Sequence, residues 1–375
     1  MKTAGLYVHV PFCDHKCVYC DFYSIITTDN VSSYPQALFK EIEHYAEQFA
    51  ESHDFVTIYF GGGTPSLMEP EYLESIINKL HKHFRISADA EVTMETNPGT
   101  VSKEKLIAFR KAGINRVSIG IQSFHEDELK FMTRIHSSEQ AQKTVREAAE
   151  AGFANISADL IFNLPGQTKL KWKENLDTLF TLPVSHLSAY SLILERGTIL
   201  NKLVLDKKVT LNDDDHDADL YEYTIDYITG KGFNQYEVSN FALPGYECIH
   251  NKLYWEYDDY LGLGTSAHSF MNDKRWWNIS SLKLYLDAVR EQGHPRAGSE
   301  VPDRQMQITE YIMLALRAGG LDISAFISRF GGTEYEIRRP ELDLMQKEGF
   351  TILSAGKIKL TPKGYAMCDE LLTKL

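Results

Sequence analysis

The chain of 375 residues has few cysteines and lacks any hydrophobic run long enough to span a bilayer. Its five cysteines are too few and too unevenly placed for a disulfide framework. Three fall between positions 13 and 20, while Cys248 and Cys368 stand alone. A reducing compartment is expected, and the default location is the cytoplasm. The N-terminus shows no basic-then-apolar signal pattern, so neither a secretory leader nor a transmembrane segment is expected. Positive charge is in deficit, with 39 Lys+Arg against 52 Asp+Glu and a formal charge of −13. That balance argues against broad binding to nucleic acid or anionic membranes. Internal repeats and low-complexity tracts are missing too. The length and a hydrophobic fraction of 43% suit one large domain with a smaller one.

What is present begins with Cys13, Cys17 and Cys20, spaced C-x3-C-x2-C directly after a short apolar strand. A loop this tight can bring three thiolates to one face, where each can hold one iron of a cubane cluster. Such clusters usually take four cysteines, so a fourth iron would be left open to chelate a small molecule. The alternative is zinc held by the three cysteines with His15 or His9. Zinc sites usually come as two separated ligand pairs, and no second pair follows. The spacing favours the cluster.

Strand-like and helix-like segments alternate from residue 5 to about residue 195. Apolar strands are expected over 6–10, 55–60, 91–95, 116–121, 156–162 and 187–192, with helices over 35–49, 71–84, 103–112, 140–151 and 169–182. Gly113 and Gly152 fall where helices should end. Repeated β–α units make a parallel sheet, and six units do not close an eight-fold barrel. The expected fold is therefore α/β: an open, partial barrel of six units with its working face at the C-terminal ends of the strands. The acidic run Asp213, Asp214, Asp215, Asp217 and Asp219 reads as a solvated helix start. From about Pro302 three helices, a hairpin over 350–360 turning at Ala355-Gly356, and a last helix form a winged-helix-like pattern. Residues 300–375 hold 10 Lys+Arg against 11 Asp+Glu, so this module reads as structural rather than DNA-binding. The expected divisions are 1–195 for the barrel, 196–298 for an aromatic-rich extension and 299–375 for the C-terminal domain.

Further motifs follow the strands. Gly61-Gly62-Gly63-Thr64-Pro65 allows close backbone approach to a ligand, though alone such a run is usually a turn. Glu95, Gln122 and Asp159 sit at later strand ends, where polar groups can converge on one mouth, and Arg134 can pair with an anion. Cys248-Ile249-His250-Asn251-Lys252-Leu253-Tyr254-Trp255 contains residue types that serve as axial haem ligands. From the residues alone, an aromatic packing element around a hydrogen-bonded histidine is the better reading of that segment.

Taken together, the cysteine loop, the Gly-Gly-Gly-Thr-Pro turn, Glu-Thr-Asn-Pro, Gly-Ile-Gln-Ser-Phe and Asp-Leu-Ile-Phe-Asn-Leu-Pro-Gly resemble the oxygen-independent coproporphyrinogen III dehydrogenase-like family of radical SAM proteins. The segment from His250 to Trp255 is similar to the HNxxYW signature of the heme-chaperone branch of that family. The resemblance implies a 4Fe–4S cluster on Cys13, Cys17 and Cys20. It implies S-adenosylmethionine contacts from Tyr7, Tyr19, Gly62, Gly63, Thr64, Glu95, Gln122, Arg134 and Asp159. Heme would be bound by His250, with Tyr254 and Cys248 as further candidates. The implied function is to bind heme and transfer it to acceptor hemoproteins, including those of the respiratory chain, with a homodimer as a further expectation. The alternative is the dehydrogenase activity itself, oxidative decarboxylation of propionates. The dehydrogenase carries a further cysteine where this chain has Phe22, and a segment ahead of the first strand, which here begins almost at Met1; both differences favour the chaperone.

Overall fold

The computed structural model describes residues 1–26 and 33–375. Its centre is six parallel strands in sequence order: β1 (Lys2–Val10), β2 (His53–Gly62), β3 (Ile86–Thr96), β4 (Arg116–Gln122), β5 (Asn155–Phe162) and β6 (His186–Ser191). Between them run α1 (Tyr34–Phe49), α2 (Pro70–His83), α3 (Lys103–Lys111), α4 (Glu126–Phe131), α5 (Ser138–Glu150) and α6 (Lys169–Leu179). Capping side chains fix where several helices begin. Ser102, Ser137 and Thr168 accept from the backbone N–H groups of Lys105, Gln140 and Lys171, satisfying donors that the first turn leaves orphaned. Gly113 and Gly152 end α3 and α5 with φ of 107° and 93°, a conformation that costs glycine little.

After β6 come α7 (Ile199–Leu205), α8 (Asp214–Thr229), β7 (Asn234–Gln235), β8 (Asn240–Ala242) and α9 (Ile249–Trp255). The strands β9 (Asp259–Leu263), β10 (His268–Met271), β11 (Lys274–Asn278) and β12 (Arg296–Glu300) follow, with α10 (Leu282–Gln292) before β12. These strands widen the sheet on both sides. Its order is β12-β11-β10-β9-β1-β2-β3-β4-β5-β6-β8-β7, with β9 parallel to the outer edge of β1 and β8 antiparallel to β6. Strands β1 and β6 do not pair, so the barrel is open. The acidic run opens α8, where Asp213 caps the helix through the His216 N–H.

One departure from the sequence reading has a physical cause. Strand β3 begins at Ile86 rather than 91: Ile86 pairs with Phe55 of β2, and the register then shifts so that the next pair is Thr57 with Glu91; the polar residues Ser87 and Asp89 hide this in the sequence. Within the aromatic-rich extension, β7 and β8 pair antiparallel.

One face of β1 carries Ala4, Leu6, Val8 and Val10, all fully buried with Leu38 and Ile42 of α1 in the main core. Each of the valine, leucine and isoleucine side chains buried there contributes about 1.5–3 kcal/mol. The opposite face carries Tyr7 and His9, which point into the barrel. A second, separate core joins α11 (Arg304–Arg317), α12 (Ile323–Phe330), α13 (Gly332–Lys347) and a three-stranded sheet of β13 (Leu321–Asp322), β14 (Thr351–Ser354) and β15 (Lys357–Leu360). The hairpin turns at Ala355 and Gly356, both with positive φ, and α14 (Pro362–Ala366) and α15 (Cys368–Leu372) close the chain.

Candidate functional site

The cysteine loop leaves the end of β1 and returns to it. Cys13 N–H donates to the Ile25 carbonyl at 3.0 Å, and Ile25 N–H to the Pro11 carbonyl at 2.8 Å. Those bonds close the neck of the loop and present its thiols at the strand ends. The glycine run lies against it: Gly63 N–H donates to the Val10 carbonyl and Thr64 N–H to the Phe12 carbonyl, both at 2.8 Å. A Cβ on Gly63 would stand 2.7 Å from those two carbonyl oxygens. Gly62, with φ of 106°, would drive a Cβ into the His9 ring. The run is thus a backbone-to-backbone dock for the cysteine loop as well as part of the cavity wall.

All three thiols are free and partly exposed. Cys13 Sγ lies 3.5 Å from Thr64 Oγ1, and Arg134 donates through Nη1 to Cys17 Sγ at 3.4 Å. Among the described residues no three His, Cys, Asp or Glu side chains gather where a single ion would sit. His9 is no zinc ligand either: its ring nitrogens lie 3.1 Å from the Tyr7 hydroxyl and 2.9 Å from the Tyr23 carbonyl. Three soft thiols on one loop, spread rather than gathered on one centre, fit a cluster in which each binds a different iron.

A cavity of about 470 Å³ opens beside the loop. Of the residues expected around S-adenosylmethionine, Tyr19, Gly62, Gly63, Thr64, Glu95, Gln122, Arg134 and Asp159 line it, together with Cys13 and Cys20. Glu95 accepts from the Tyr59 hydroxyl at 3.0 Å and from Gly62 N–H at 3.1 Å. Burial, and then the charge of Asp159, push its carboxyl up to about 7. Asp159 accepts from Ser118 Oγ at 3.0 Å and is raised by burial as well. Arg134 also donates to the Gly120 carbonyl at 2.6 Å. Gln122 ends β4 with φ of 71°, a strained conformation for a residue with a Cβ and one often found at functional sites. Two half-buried carboxylates on the wall beside a thiol loop make a cavity suited to a cationic ligand.

Sequence reasoning missed the cavity floor. Arg116, Ser118, Ser188, Tyr190 and Tyr59 all line it. A signal existed, since Arg116, Ser118, Gly120 and Gln122 occupy alternate positions of β4 and therefore one face. Arg116 is only 2% exposed, and its Nε lies 3.9 Å from Glu91 with no hydrogen bond of its own.

Tyr7 stands apart from its expected companions. It lines a second cavity of about 440 Å³ with His9, Phe22, Tyr254, Tyr260 and His268. Phe22, 60% exposed, borders both cavities. Between them stands an aromatic stack in which Tyr59 lies 4.9 Å and Tyr7 6.4 Å from the His250 ring, nearly parallel to it. His250 is 1% exposed. Its Nδ1 lies 2.7 Å from Thr57 Oγ1 and its Nε2 2.7 Å from the Tyr254 hydroxyl. Burial, then the charge of Arg116, lower its pKa to about 3, so the ring is neutral. Gly5 makes room for it, since a Cβ there would stand 3.0 Å from His250 Nδ1 and 2.8 Å from Leu253. Cys248 is fully buried at the start of α9, and burial pushes its thiol up to about 12. Glu91 holds that helix start, accepting from Ile249 and His250 N–H at 3.2 and 3.1 Å.

Comparison with known proteins agrees with this geometry. Residues 7–179 match the Radical SAM superfamily, and residues 303–367 match the HemN C-terminal domain. The heme chaperone HemW of Escherichia coli (strain K12) is 37% identical over 374 residues, covering 99% of this chain and 98% of that protein. The heme chaperone HemW of Bacillus subtilis (strain 168) is 33% identical over 374 residues, again covering 99% of this chain and 98% of that protein. The solved structure of coproporphyrinogen III oxidase (HemN) from Escherichia coli, a radical SAM enzyme, superposes with a TM-score of 0.85 at 26% identity. That match covers all of this chain and 90% of the other.

Proposed function

The chain belongs to the HemW family of radical SAM proteins, and from that membership we propose that it binds heme and passes it to acceptor hemoproteins. The observation that carries this reading is end-to-end similarity to heme chaperones from distant bacteria. The family brings a 4Fe–4S cluster and S-adenosylmethionine. Cys13, Cys17 and Cys20 would hold the cluster, and the first cavity would take S-adenosylmethionine. When bound, the pair supplies one-electron chemistry at the sulfonium. The protein's own contribution is the half-buried carboxylates of Glu95 and Asp159, the Arg134 guanidinium on Cys17, and the aromatic wall behind them.

The likeness to coproporphyrinogen III oxidase favours a second reading, decarboxylation of porphyrinogen propionates. A tetracarboxylate substrate needs several free cations. The cavity offers two arginines: Arg134 is committed to Cys17 and Gly120, and Arg116 faces Glu91. That supply, with Phe22 at the boundary, supports the chaperone.

The same reading places the protein in the cytoplasm, with respiratory hemoproteins among its acceptors and a homodimer as its working form. No helix among the described residues is long and apolar enough to cross a membrane, so contact with membrane-bound acceptors would run through protein surfaces. The test is anaerobic. Cluster-loaded protein is given S-adenosylmethionine and a reductant, then coproporphyrinogen III in one arm and heme followed by an apo-hemoprotein in the other. Heme binding and transfer without protoporphyrinogen is the expected result. Protoporphyrinogen at catalytic yield, with no transfer, would overturn it.

A further inference from the structure

Resting on the heme-binding reading, we propose that heme occupies the second cavity with His268 as its axial ligand, and that His250 acts as a positioning residue behind it. His250 is poorly placed to meet iron directly. It is buried, and both ring nitrogens are already engaged, by Thr57 and by Tyr254. Iron could reach it only after one of those bonds broke and the rings of Tyr7, Tyr59 and Tyr254 packed around it moved aside. His9, the other histidine on the cavity wall, is likewise engaged through both nitrogens.

His268 differs on each count. It is the exposed first residue of β10, and its ring lies near-parallel to that of Trp277 at 6.2 Å. Among the described residues neither ring nitrogen has a hydrogen-bond partner. Burial and the nearby Arg275 charge lower its pKa, which favours the neutral imidazole that binds metal. The backbone fixes its position closely: a Cβ on Gly262 would stand 2.1 Å from the His268 carbonyl oxygen, so only glycine lets β10 cross there. The walls suit a flat macrocycle, with Tyr7, Tyr254, Tyr260 and the exposed Phe22 presenting aromatic surface. Lys16 donates to the carbonyl of the wall residue Phe22 at 3.4 Å, which keeps a cation next to the wall, where a propionate could meet it. Tyr254 links the two histidines' roles. Its ring forms part of the cavity wall while its hydroxyl meets His250 Nε2, so the HNxxYW helix shapes the cavity through Tyr254.

The test compares wild type, His268→Gly and His250→Ala by ferric-heme titration, with electron paramagnetic resonance and resonance Raman spectra of each complex. Iron content and cluster absorbance serve as controls for folding. The expected result is that His268→Gly loses the histidine-ligated spectrum and binds heme at least tenfold more weakly, and that added imidazole restores the spectrum. His250→Ala should keep the histidine-ligated spectrum with an affinity a few-fold lower. A wild-type spectrum in His268→Gly, with loss of histidine ligation in His250→Ala, would overturn the assignment while leaving heme binding intact. Failure of the wild type to bind heme would overturn the function from which the assignment starts.

Discussion

Arg134 places its guanidinium 3.4 Å from the sulfur of Cys17, reaching from the far end of the fourth β–α unit to the loop after the first strand. The contact joins a fixed positive charge to a thiol expected to carry iron. Its other branch is anchored on the Gly120 carbonyl, and Gly120 has no side chain to displace it. Hydrogen bonds to cluster sulfurs and local charge both set reduction potential.

Replacing Cys17 with serine should therefore abolish the cluster, with iron content falling from about four per chain to near zero. Arg134→Ala should instead keep the irons and move the reduction potential to more negative values, since a cation that stabilises the reduced state is gone. A redox titration followed by electron paramagnetic resonance checks both. Retention of four irons by Cys17→Ser would remove that residue from the ligand set.

Glu95 should make S-adenosylmethionine binding pH-dependent. Burial and the neighbouring Asp159 push its carboxyl up to about 7, so between pH 6 and 8 it should pass from about one-tenth to about nine-tenths ionised. The ionised form attracts a cation. Affinity should rise by up to about tenfold over that interval, and Glu95→Gln should flatten the curve and leave binding weak throughout. Isothermal titration of the cluster-loaded protein reads both effects.

Glu41 is a stability prediction far from either cavity. Fully buried in α1, it accepts from the Tyr285 hydroxyl at 2.7 Å, Gly264 N–H at 2.9 Å and Asn278 Nδ2 at 2.6 Å. It thereby ties the first helix to the strands beyond β1. Glu41→Ala strands three donors and should cost about 2–4 kcal/mol in urea unfolding, more than Glu41→Gln. Burial raises the Glu41 carboxyl to about 7, above its unfolded value of about 4.3. The folded state therefore holds the extra proton, and this group's contribution to stability falls as pH rises from about 4.3 through 7.

The barrel was legible because its strands are apolar runs and its helices carry ordinary start and stop signals, as at Ser102 and Gly113. The cysteine loop and the cavity mouth were legible because chemistry at strand ends stands out against apolar strands. What stayed hidden was direction. Tyr7 and Tyr59 sit on neighbouring strands at paired positions, yet they line different cavities, a distinction made by side-chain packing rather than by spacing. Arg116 escaped notice as one cation at the head of an apolar run. Its meaning depends on Glu91 from β3, and no local pattern reveals a partner on another strand. His250 was read from the residues as a hydrogen-bonded packing histidine, and Thr57 and Tyr254 supply that environment.

Glu91 answers to both cavities at once. One carboxylate steadies the first turn of α9, and the same carboxylate faces the unpartnered Nε of Arg116 in the floor of the first cavity. Replacing Glu91 would loosen the start of the helix that carries His250 and Tyr254 and would leave the buried Arg116 charge without its facing carboxylate. One side chain outside both cavities thus supports a wall of each.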